Sequence, residues 1–579
     1  MTSMPIDQAS AQSNTQPHTE LLALAARTRA QLTASGGPFE VVTIEQDGVQ
    51  LPAFRNAFNT LPEFLAAGRV HGEKEFMVYG SDRWSFARFY AAVDALAGNL
   101  QMQCSLSAGD PVAIAMRNRP EWAVAFVAIA LVGAVPVPLN SFGLRDELLA
   151  NLRDVKPRWL ICDQDRHARV GADLQALDCR AIVVDANLGA YSWTGLIATG
   201  APAFQSVALA PQDPALILFT SGASSQAKGV LSTQRAVCQA LCNIDFIGAI
   251  SALTSPAAVA AIMARGLQPT TLSAVPLFHV SGLHAQLLSS LRNGRRLVFM
   301  QRWDPATALE HIRTERITQF NGAPAMVQQL LNAPGFDDPE VTGTLGGLGF
   351  GGAGLPQGLI DEVLMRRADS LSGIGFGMTE SNGAGAAASG ALFRMRPQSS
   401  GQLSPIVELQ VVDDQGNPLP TDQRGEICLR GVTLMQGYWG PNGVNRAFSA
   451  DGWFRSGDIG FVDADGFLHV VDRIKDVINR SGEKISAAEV ESCLLLHSQI
   501  VEAAVVGVPD LTTGEAVVAM VVLAEGAHIG GSEVRQHVAN HLAAYKVPVR
   551  VYLQHSVLPR NPAGKLLKSA IRKLIDAVN

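Results

Sequence analysis

The sequence contains few of the features that mark secreted, zinc-ribbon or nucleic-acid-binding proteins. Its seven cysteines are spread through 579 residues and form no CxxC pair, which argues against both a zinc ribbon and a disulfide scaffold. The net charge is −7 and the basic residues form no block, so a nucleic-acid partner is not expected. These absences favour a protein of the reducing cytoplasm.

Long hydrophobic runs are also scarce. The longest, residues 122–139, is at the lower limit for crossing a bilayer and is interrupted by Pro136 and Pro138. It is better interpreted as a buried helix followed by a strand, so we expect no transmembrane segment. Residues 1–18 are polar and have neither the apolar core of a signal peptide nor an arginine-rich transit pattern, and we predict a disordered tail there.

The length and the apolar content instead indicate a large α/β protein. A chain of 579 residues exceeds what one hydrophobic core supports, so at least two domains are expected. Apolar strand-like segments alternate with helix-like segments, which predicts parallel βαβ units in doubly wound sheets. The predicted helices are 86–99 and 121–132, and the predicted strands are 112–116, 134–139, 158–162, 181–184, 216–220, 296–299, 319–321 and 346–349.

The pattern changes twice towards the carboxyl end. Residues 406–430 alternate like antiparallel strands, which indicates a small β-region. After Asp472 the chain predicts helices at 486–495 and 533–542 and strands at 501–508 and 517–523. About a hundred residues of this α+β pattern are enough for a separate domain. We therefore predict an N-terminal domain of residues 19–472 and a mobile C-terminal domain of residues 473–579.

One segment has the composition of a phosphate-binding loop. Hydroxyl-bearing and small residues, with a single lysine, follow an apolar strand in the run Thr220-Ser221-Gly222-Ala223-Ser224-Ser225-Gln226-Ala227-Lys228-Gly229-Val230. Small side chains let backbone N–H groups approach an anion. The run is not a Walker A motif, because Ala227 precedes Lys228 and Gly229 follows it. A surface loop with a solvated lysine explains this segment alone equally well.

Five further segments follow it in the order found in one enzyme family. They are Gly351-Gly352-Ala353-Gly354-Leu355, Phe376-Gly377-Met378-Thr379-Glu380, Trp453-Phe454-Arg455-Ser456-Gly457-Asp458, Asp472-Arg473-Ile474-Lys475-Asp476 and Pro559-Arg560-Asn561-Pro562-Ala563-Gly564-Lys565. Together with the phosphate loop, they resemble the class I adenylate-forming superfamily of acyl-CoA synthetases, adenylation domains and luciferases. The resemblance runs from about Trp84 to the carboxyl terminus. It implies that the chain activates a carboxylic acid with ATP and transfers it to a thiol, most simply that of coenzyme A.

The resemblance also implies which residues bind the nucleotide. The phosphates would meet Thr220, Ser221, Gly222, Ser224 and Lys228, and the adenine and its surroundings would meet Gly352, Ala353, Gly354, Phe376, Gly377 and Met378. Thr379 would contact the α-phosphate and Glu380 would bind Mg²⁺, a hard cation that prefers oxygen ligands. The plainer interpretation of Glu380 is a surface acid or a helix-capping partner.

Three more residues complete the implied nucleotide site. A carboxylate at Asp458 can accept two hydrogen bonds from ribose hydroxyls, although a turn aspartate after Gly457 is the simpler alternative. Arg473 would add a cationic contact. Lys484 stands where related proteins place another polar contact to the adenylate, but a lone loop lysine is usually solvated.

Lys565 is the implied catalytic residue. Attack of a carboxylate on a phosphate joins two anions, so an ammonium group near the reacting atoms would stabilise the transition state. By position alone, Lys565 would be a surface lysine near the end of the chain. In this family the C-terminal domain then turns about a hinge, for which Lys475 is the candidate, and presents a different face to coenzyme A.

The acyl pocket is implied by other segments. Pro276-Leu277-Phe278-His279-Val280-Ser281-Gly282-Leu283 resembles the aromatic gate of the family, with His279 where amino-acid-activating relatives have aspartate. The resemblance also places small groups near the pocket, at Asn321, Gly349 and Gly351. The alternative is that these glycines serve only backbone turns. We therefore expect an apolar acid of medium or larger size, branched, cyclic, aryl or fatty.

Two departures and three alternatives stay open. Ser225 and Ala227 stand where the family usually has glycine and proline, which predicts weaker use of ATP. The acceptor thiol could belong to a carrier protein instead of free coenzyme A. The chain could also be a weakly active nucleotide- or acyl-binding module, and it could be a homodimer or a monomer.

Overall fold

The largest sheet is mixed, with a parallel centre. The structure is a computed structural model that describes residues 9–220, 227–351, 355–440, 443–481, 483–562 and 564–578. In spatial order, the nine strands are Gln402–Leu403, Gly383–Ser389, Gly373–Met378, Gly347–Gly351, Gln319–Gly322, Thr270–Ser273, Arg296–Phe299, Glu75–Tyr79 and Asp82–Ser85. The strands from Gly373–Met378 to Glu75–Tyr79 run parallel, and antiparallel strands close both edges.

A second, wholly parallel sheet has the strand order Val135–Pro138, Pro111–Ala115, Trp159–Cys162, Arg180–Val183 and Tyr191–Ser192. The helix Pro120–Leu131 is buried on nearly every side, and the rings of Trp122 and Phe126 stack at 5.4 Å. This confirms that the apolar run at 122–139 is a buried helix followed by a strand. Large apolar side chains on both faces explain why these strands are continuous hydrophobic runs.

The strand predicted at 216–220 differs from the expectation of a parallel unit. It forms as Pro214–Phe219 and pairs antiparallel with Gly229–Thr233, in a separate sheet completed by Gly437–Gly440 and Gly443–Asn445. The connection between the first two strands is too short for a parallel crossover, which needs about a dozen residues. The loop that was predicted to bind phosphate is therefore a hairpin connection.

The small β-region at 406–430 is confirmed as part of an antiparallel sheet of Val407–Val412, Gly425–Gly431, Phe454–Val462 and Leu468–Arg473. A short hairpin, Val41–Gln46 with Val49–Phe54, lies nearer the amino terminus. The next strand after Arg473, Ile478–Arg480, already belongs to a different sheet.

That sheet consists of Glu483–Ile485, Ile478–Arg480, Gly514–Leu523, Ile500–Asp510 and Arg550–Gln554. One face packs on the helices Ala487–Leu495 and Gly531–His541, and the other packs on the helix Lys568–Val578. The α+β pattern predicted beyond residue 472 is thus observed, with every predicted helix and strand within a few residues of its expected position.

The other α-helices of the described chain are Ala9–Thr33, Leu61–Ala66, Phe86–Met102, Arg145–Val155, Gln164–Val170, Trp193–Leu196, Gln234–Thr254, Pro256–Met263, Val280–Gly282, Ser289–Asn293, Pro305–Thr314, Pro324–Leu331, Pro339–Thr342, Gln357–Arg366 and Ala391–Met395. A π-helix, Leu283–Leu288, follows Val280–Gly282. The helix Gln234–Thr254 is long and apolar enough to cross a bilayer, but half of its most apolar window is buried in the protein.

The first helix overlaps the segment that was predicted to be a disordered tail, residues 1–18. It begins at Ala9, while residues 1–8 lie outside the described chain, and the tail stays a prediction. The polar start continues without a break into a segment whose Leu21, Leu22 and Ala25 pack on the core of the large sheet. Tertiary packing of one part of a helix stabilises its continuation, which composition alone does not reveal.

Candidate active site

Several predicted site residues meet at one edge of the large sheet. Asn321, Gly351 and Met378 lie at the carboxyl ends of the neighbouring strands Gln319–Gly322, Gly347–Gly351 and Gly373–Met378. Carboxyl ends of parallel strands share one edge, where ligands of open α/β sheets bind. Phe376 and Gly377 lie on the last of these strands, at a bulge in its pairing with Gly383–Ser389.

The two described pocket glycines have different surroundings. A Cβ on Gly349 would lie 2.1 Å from Oδ1 of Asn321, its partner on the adjacent strand. A Cβ on Gly351 would meet no atom of the described residues within 4 Å. The space beside Gly349 is therefore filled by the Asn321 side chain, whereas no described residue occupies the space beside Gly351.

Glu380 is held by a tyrosine that the sequence did not indicate. Thr379 and Glu380 lie in the short 3-10 helix Thr379–Ser381 that follows the strand Gly373–Met378. The Tyr438 hydroxyl donates to Glu380 Oε1 at 2.9 Å, and the Lys228 ammonium lies 4.8 Å from the centre of the Tyr438 ring. Burial and the Glu380 charge raise the pKa of Tyr438, so the phenol stays protonated and donates.

The two described ends of the phosphate loop are joined by hydrogen bonds. The Thr220 N–H donates to the Lys228 carbonyl at 2.9 Å, and the Lys228 N–H donates to Thr220 Oγ1 at 3.2 Å. The loop enters and leaves at the same point, with the exposed Lys228 beside Tyr438. The other predicted phosphate and adenine residues lie outside the described residues: Ser221, Gly222, Ser224, Gly352, Ala353 and Gly354.

Asp458 is a buried carboxylate with a cationic partner. It lies in the strand Phe454–Val462 opposite Arg473, and Arg473 Nε lies 2.9 Å from Asp458 Oδ1. Burial raises the pKa of Asp458, while the charges of Arg473 and Lys565 oppose that rise. The Asp458 side chain is 5% exposed and that of Arg473 is 44% exposed, so the pair reaches from the interior to the surface.

Lys565 extends from a tight loop of the C-terminal region. The Asn561 N–H donates to the Lys565 carbonyl at 2.8 Å, and the Lys565 N–H donates to Asn561 Oδ1 at 2.9 Å. Gly564 has φ +82°, and a Cβ there would lie 2.8 Å from Cβ of Ala323, just after the pocket strand Gln319–Gly322. The lysine loop therefore lies directly against the N-terminal region.

Lys565 interacts electrostatically with residues from several separate segments of the chain. Burial and the Arg473 charge lower the pKa of Lys565 to about 8, against the attraction of Asp458 and Glu380. Burial and the Lys565 charge lower the pKa of His279 to about 3. Lys565 thus carries a positive charge at neutral pH, whereas His279 is a neutral imidazole beside it.

The gate segment is aromatic and uncharged. The His279 ring lies 4.4 Å from that of Phe278, measured between centres, and Phe278 packs edge-on to Phe142. Burial lowers the pKa of the nearby His284 to about 4. Nε2 of His279, Nε2 of His284 and Oε1 of Gln286 are buried and have no hydrogen-bond partner among the described residues.

Two further predicted residues, Lys475 and Lys484, differ in their distance from the site. Lys475 lies in the 3-10 helix Ile474–Asp476, and burial and the Arg473 charge lower its pKa. It therefore lies close to the charged cluster of Asp458, Arg473, Glu380 and Lys565. The Lys484 ammonium donates to Asp414 Oδ2 at 2.7 Å, and both side chains are more than half exposed. The structure therefore does not bring Lys484 to Asp458, Glu380 and Lys565.

The sequence matches the AMP-binding enzyme family over residues 64–439, and the C-terminal domain of AMP-binding enzymes over residues 489–565. The chain is an AMP-binding enzyme. The predicted resemblance to the class I adenylate-forming superfamily is thereby confirmed. The second match contains Lys565, and the first contains Lys228, His279, Glu380 and Tyr438.

Curated relatives of this AMP-binding enzyme are similar along most of their length. A feruloyl-CoA synthase from Amycolatopsis sp is 32% identical over 504 residues, which cover 86% of this chain and 94% of that protein. An indoleacetate–CoA ligase from Aromatoleum aromaticum is 32% identical over 494 residues, covering 85% and 93%. A 4-coumarate–CoA ligase from Arabidopsis thaliana is 28% identical over 494 residues, covering 81% and 82%.

Solved structures agree with the predicted fold class. ATP-bound MatB from Rhodopseudomonas palustris is 26% identical, with a TM-score of 0.77 over 89% of this chain and 99% of that one. The o-succinylbenzoate CoA synthetase of Bacillus subtilis, in complex with its acyl-adenylate intermediate, is 27% identical, with a TM-score of 0.72 over 88% and 98%. The large α/β region with a small α+β C-terminal region is therefore the architecture of adenylate-forming enzymes.

Proposed function

We propose that this AMP-binding enzyme is an ATP-dependent acid–CoA ligase that acts on an aryl or similar apolar carboxylic acid. In the first step, an oxygen of the acid bonds to the α-phosphorus of ATP as the bond to pyrophosphate breaks. In the second, the sulfur of coenzyme A bonds to the acyl carbon, AMP leaves, and the thiol proton goes to solvent. The relatives named as CoA ligases favour coenzyme A over a carrier protein as acceptor.

The observation that carries the proposal is the meeting of Lys565 with Asp458, Arg473 and Glu380. These residues come from the C-terminal loop, the antiparallel sheet and the large sheet, yet their charges act on one another. A protonated Lys565 beside a phosphate and a carboxylate would offset negative charge as they join. Asp458 would accept hydrogen bonds from the ribose, with Arg473 orienting it.

The same cluster suits the magnesium ion that the family implies. A carboxylate has about four acceptor sites, so the bond from Tyr438 leaves lone pairs of Glu380 for a hard cation. Mg²⁺ held there would neutralise phosphate charge. Lys228, which lies beside the Tyr438 ring, and the neighbouring Thr220 would contact the phosphates.

Two hydrogen bonds would be broken when the enzyme passes to the second step. Asp472, at the end of the antiparallel sheet, accepts from the Ser486 hydroxyl at 2.7 Å and from the Ala488 N–H at 3.2 Å. A rotation of the C-terminal region about Lys475 would separate Asp472 from Ser486 and Ala488, because Asp472 precedes Lys475 in the chain and the other two follow it. We infer that this contact stabilises the arrangement in which Lys565 lies in the site, and that residues 473–579 move as the C-terminal domain.

The gate favours an aryl substrate with one carboxylate. His279 is neutral and its ring lies 4.4 Å from that of Phe278, so residues 276–283 themselves supply no charge for an α-ammonium or a second carboxylate. No described residue fills the space within 4 Å of a Cβ on Gly351, which favours room for a ring edge there, and the atoms of His279 and Gln286 that lack a described partner would hydrogen-bond a ring substituent. The relatives that act on feruloyl, indoleacetate and 4-coumarate groups agree with this choice.

The test is pyrophosphate release with ATP and Mg²⁺ across aryl, cyclic, branched and fatty acids, with and without coenzyme A. We expect turnover that needs both acid and coenzyme A, fastest with an aryl acid. Adenylate without thioester would indicate a carrier protein, and no release with any acid would indicate a binding module. A cytoplasmic location and the choice between monomer and homodimer stay predictions.

A further inference from the structure

A cluster of sulfur and imidazole groups lies between two helices of the C-terminal region. Cys493 is in the helix Ala487–Leu495, and His537 and His541 are one turn apart in the helix Gly531–His541. One ligand atom from each of the three side chains lies within 4.8 Å of the others. Burial decreases from Cys493, which is buried, through His537 to His541, which is exposed.

Hydrogen bonds leave each histidine with one nitrogen available as a ligand. His537 Nε2 lies 2.9 Å from the Cys493 carbonyl oxygen, and a carbonyl only accepts, so Nε2 carries the proton. His541 Nδ1 likewise donates to the His537 carbonyl at 2.8 Å. The lone pairs are therefore on Nδ1 of His537 and Nε2 of His541. Donation of the other ring N–H to a backbone carbonyl is the usual arrangement of metal-binding histidines.

We propose that Cys493, His537 and His541 form a site for Zn²⁺ or a chemically similar ion such as Co²⁺. One thiolate and two imidazoles are ligands that zinc prefers, and water can take the fourth position on the exposed His541 side. In a tetrahedral site the ligand atoms lie about 3.4–3.6 Å apart, so the three side chains would move closer together and turn Nδ1 of His537 and Nε2 of His541 towards the sulfur. The thiol proton goes to solvent as the sulfur–metal bond forms.

A fourth nearby side chain, His497, is excluded by its own hydrogen bond. Its ring centre lies 5.1 Å from that of His537. However, the Gln499 N–H donates to His497 Nδ1 at 3.2 Å, which leaves the proton of the neutral ring on Nε2. Neither nitrogen of His497 then has a free lone pair. This neighbour provides a matched control.

The site would join two helices that pack on the same face of the C-terminal sheet. Both helices bury apolar side chains, such as Val490 and Val538, in one core. A metal that binds the folded form and not the unfolded form raises stability with its concentration. The site would therefore stabilise the C-terminal region without taking part in the ATP-dependent reaction.

The experiment is a Co²⁺ titration of the full-length, chelator-stripped protein in a phosphine reductant, without nucleotide, followed by absorption. We expect one equivalent of Co²⁺ with a thiolate-to-cobalt charge-transfer band that Zn²⁺ abolishes. Cys493→Ser should remove the band, and His541→Gln should weaken binding by more than about 100-fold, beyond the loss typical of an outer-shell change. Zn²⁺ should raise the Tm of the wild type and not that of either variant.

Two controls separate this site from general metal binding. His497→Gln and Cys428→Ser, which change a neighbouring histidine and a buried cysteine of the N-terminal region, should keep the band and its affinity. Should Cys493→Ser fail to fold, the exposed His541→Gln carries the test. Absence of the band in the wild type, its persistence in Cys493→Ser, or equal affinity in His541→Gln would overturn the proposal.

Discussion

Arg473 Nε lies 2.9 Å from Asp458 Oδ1, and the two residues face each other across adjacent strands. The strand pairing fixes both backbones, so the carboxylate is held in place before any ligand binds. Burial raises the pKa of Asp458, and the neighbouring cations Arg473 and Lys565 counteract this effect. A buried, oriented carboxylate at this position is well suited to accept hydrogen bonds from sugar hydroxyls.

Asp458→Ala should therefore impair ATP binding. Loss of hydrogen bonds to a charged group costs about 1.5–3 kcal/mol, so we expect the KM for ATP to rise about 10- to 100-fold. The KM for the acid should change little. Pyrophosphate release measured against ATP concentration checks this. Glu310→Ala, which removes an exposed pair with Arg313, should behave like wild type, and an unchanged KM in Asp458→Ala would refute the ribose role.

Gly564→Ala should reduce adenylation by keeping the lysine loop out of the site. An alanine at φ +82° is strained by about 1 kcal/mol or more, and its Cβ would also meet Ala323 at 2.8 Å. We expect at least about a tenfold fall in adenylate formation and a smaller change in thioester formation from supplied acyl-adenylate.

The strain and the contact can be separated. Gly526→Ala places the same strain at φ +75° in open space, so it should leave adenylation unchanged. Adding Ala323→Gly to Gly564→Ala removes the contact and should restore part of the rate. If the double variant does not recover, contact between the new methyl group and Ala323 is not the cause of the lost adenylation.

Tyr438→Phe should weaken the response to Mg²⁺. The variant removes the hydroxyl that donates to Glu380 at 2.9 Å while it keeps the ring beside Lys228. We expect the Mg²⁺ concentration for half-maximal rate to rise by about tenfold, the size of one hydrogen bond to a charged group. Tyr191→Phe, which loses a bond to the Gln103 carbonyl far from the site, is the control. Equal Mg²⁺ dependence of both variants would contradict the role of Tyr438.

The rate should fall in alkaline solution because Lys565 loses its proton. Its pKa is lowered to about 8, so the ammonium form predominates below that pH and disappears above it. We expect kcat/KM for ATP to decrease as pH rises through about 8, since this parameter reports the free enzyme. In Lys565→Arg this decrease should move to higher pH, because the guanidinium stays charged. A decrease at the same pH in both proteins would assign it to another group.

The sequence predicted the strands and helices well because their signals are local. Residues 296–299 form the predicted strand without any shift, and the helices at 86 and 487 begin within a residue of their expected starts. The motifs also predicted that Asp458, Arg473, Glu380 and Lys565 share one site, and in the structure the charges of these residues act on one another. The strand and helix signals depend on neighbouring residues, and the site prediction depends on a family resemblance.

What the sequence did not reveal depends on contacts between distant segments. Tyr438 reaches Glu380 from 58 residues away, and nothing near Tyr438 in the chain marks it as a site residue. Lys484 lies in the short strand Glu483–Ile485 rather than in a loop, and its ammonium pairs with Asp414 beyond the end of a strand of another sheet. The cluster of Cys493, His537 and His541 has no compact spacing, because it forms only when two helices pack.

The most direct test of the central claim is the effect of Lys565→Ala on the two half-reactions, measured separately. Acid-dependent release of pyrophosphate reports adenylation, and conversion of supplied acyl-adenylate and coenzyme A reports thioester formation. Lys573→Ala, an exposed lysine on the last helix, is the control. We predict that Lys565→Ala loses adenylation and keeps thioester formation. Equal loss of both half-reactions, or retention of both, would contradict the assignment of Lys565 to the adenylation step.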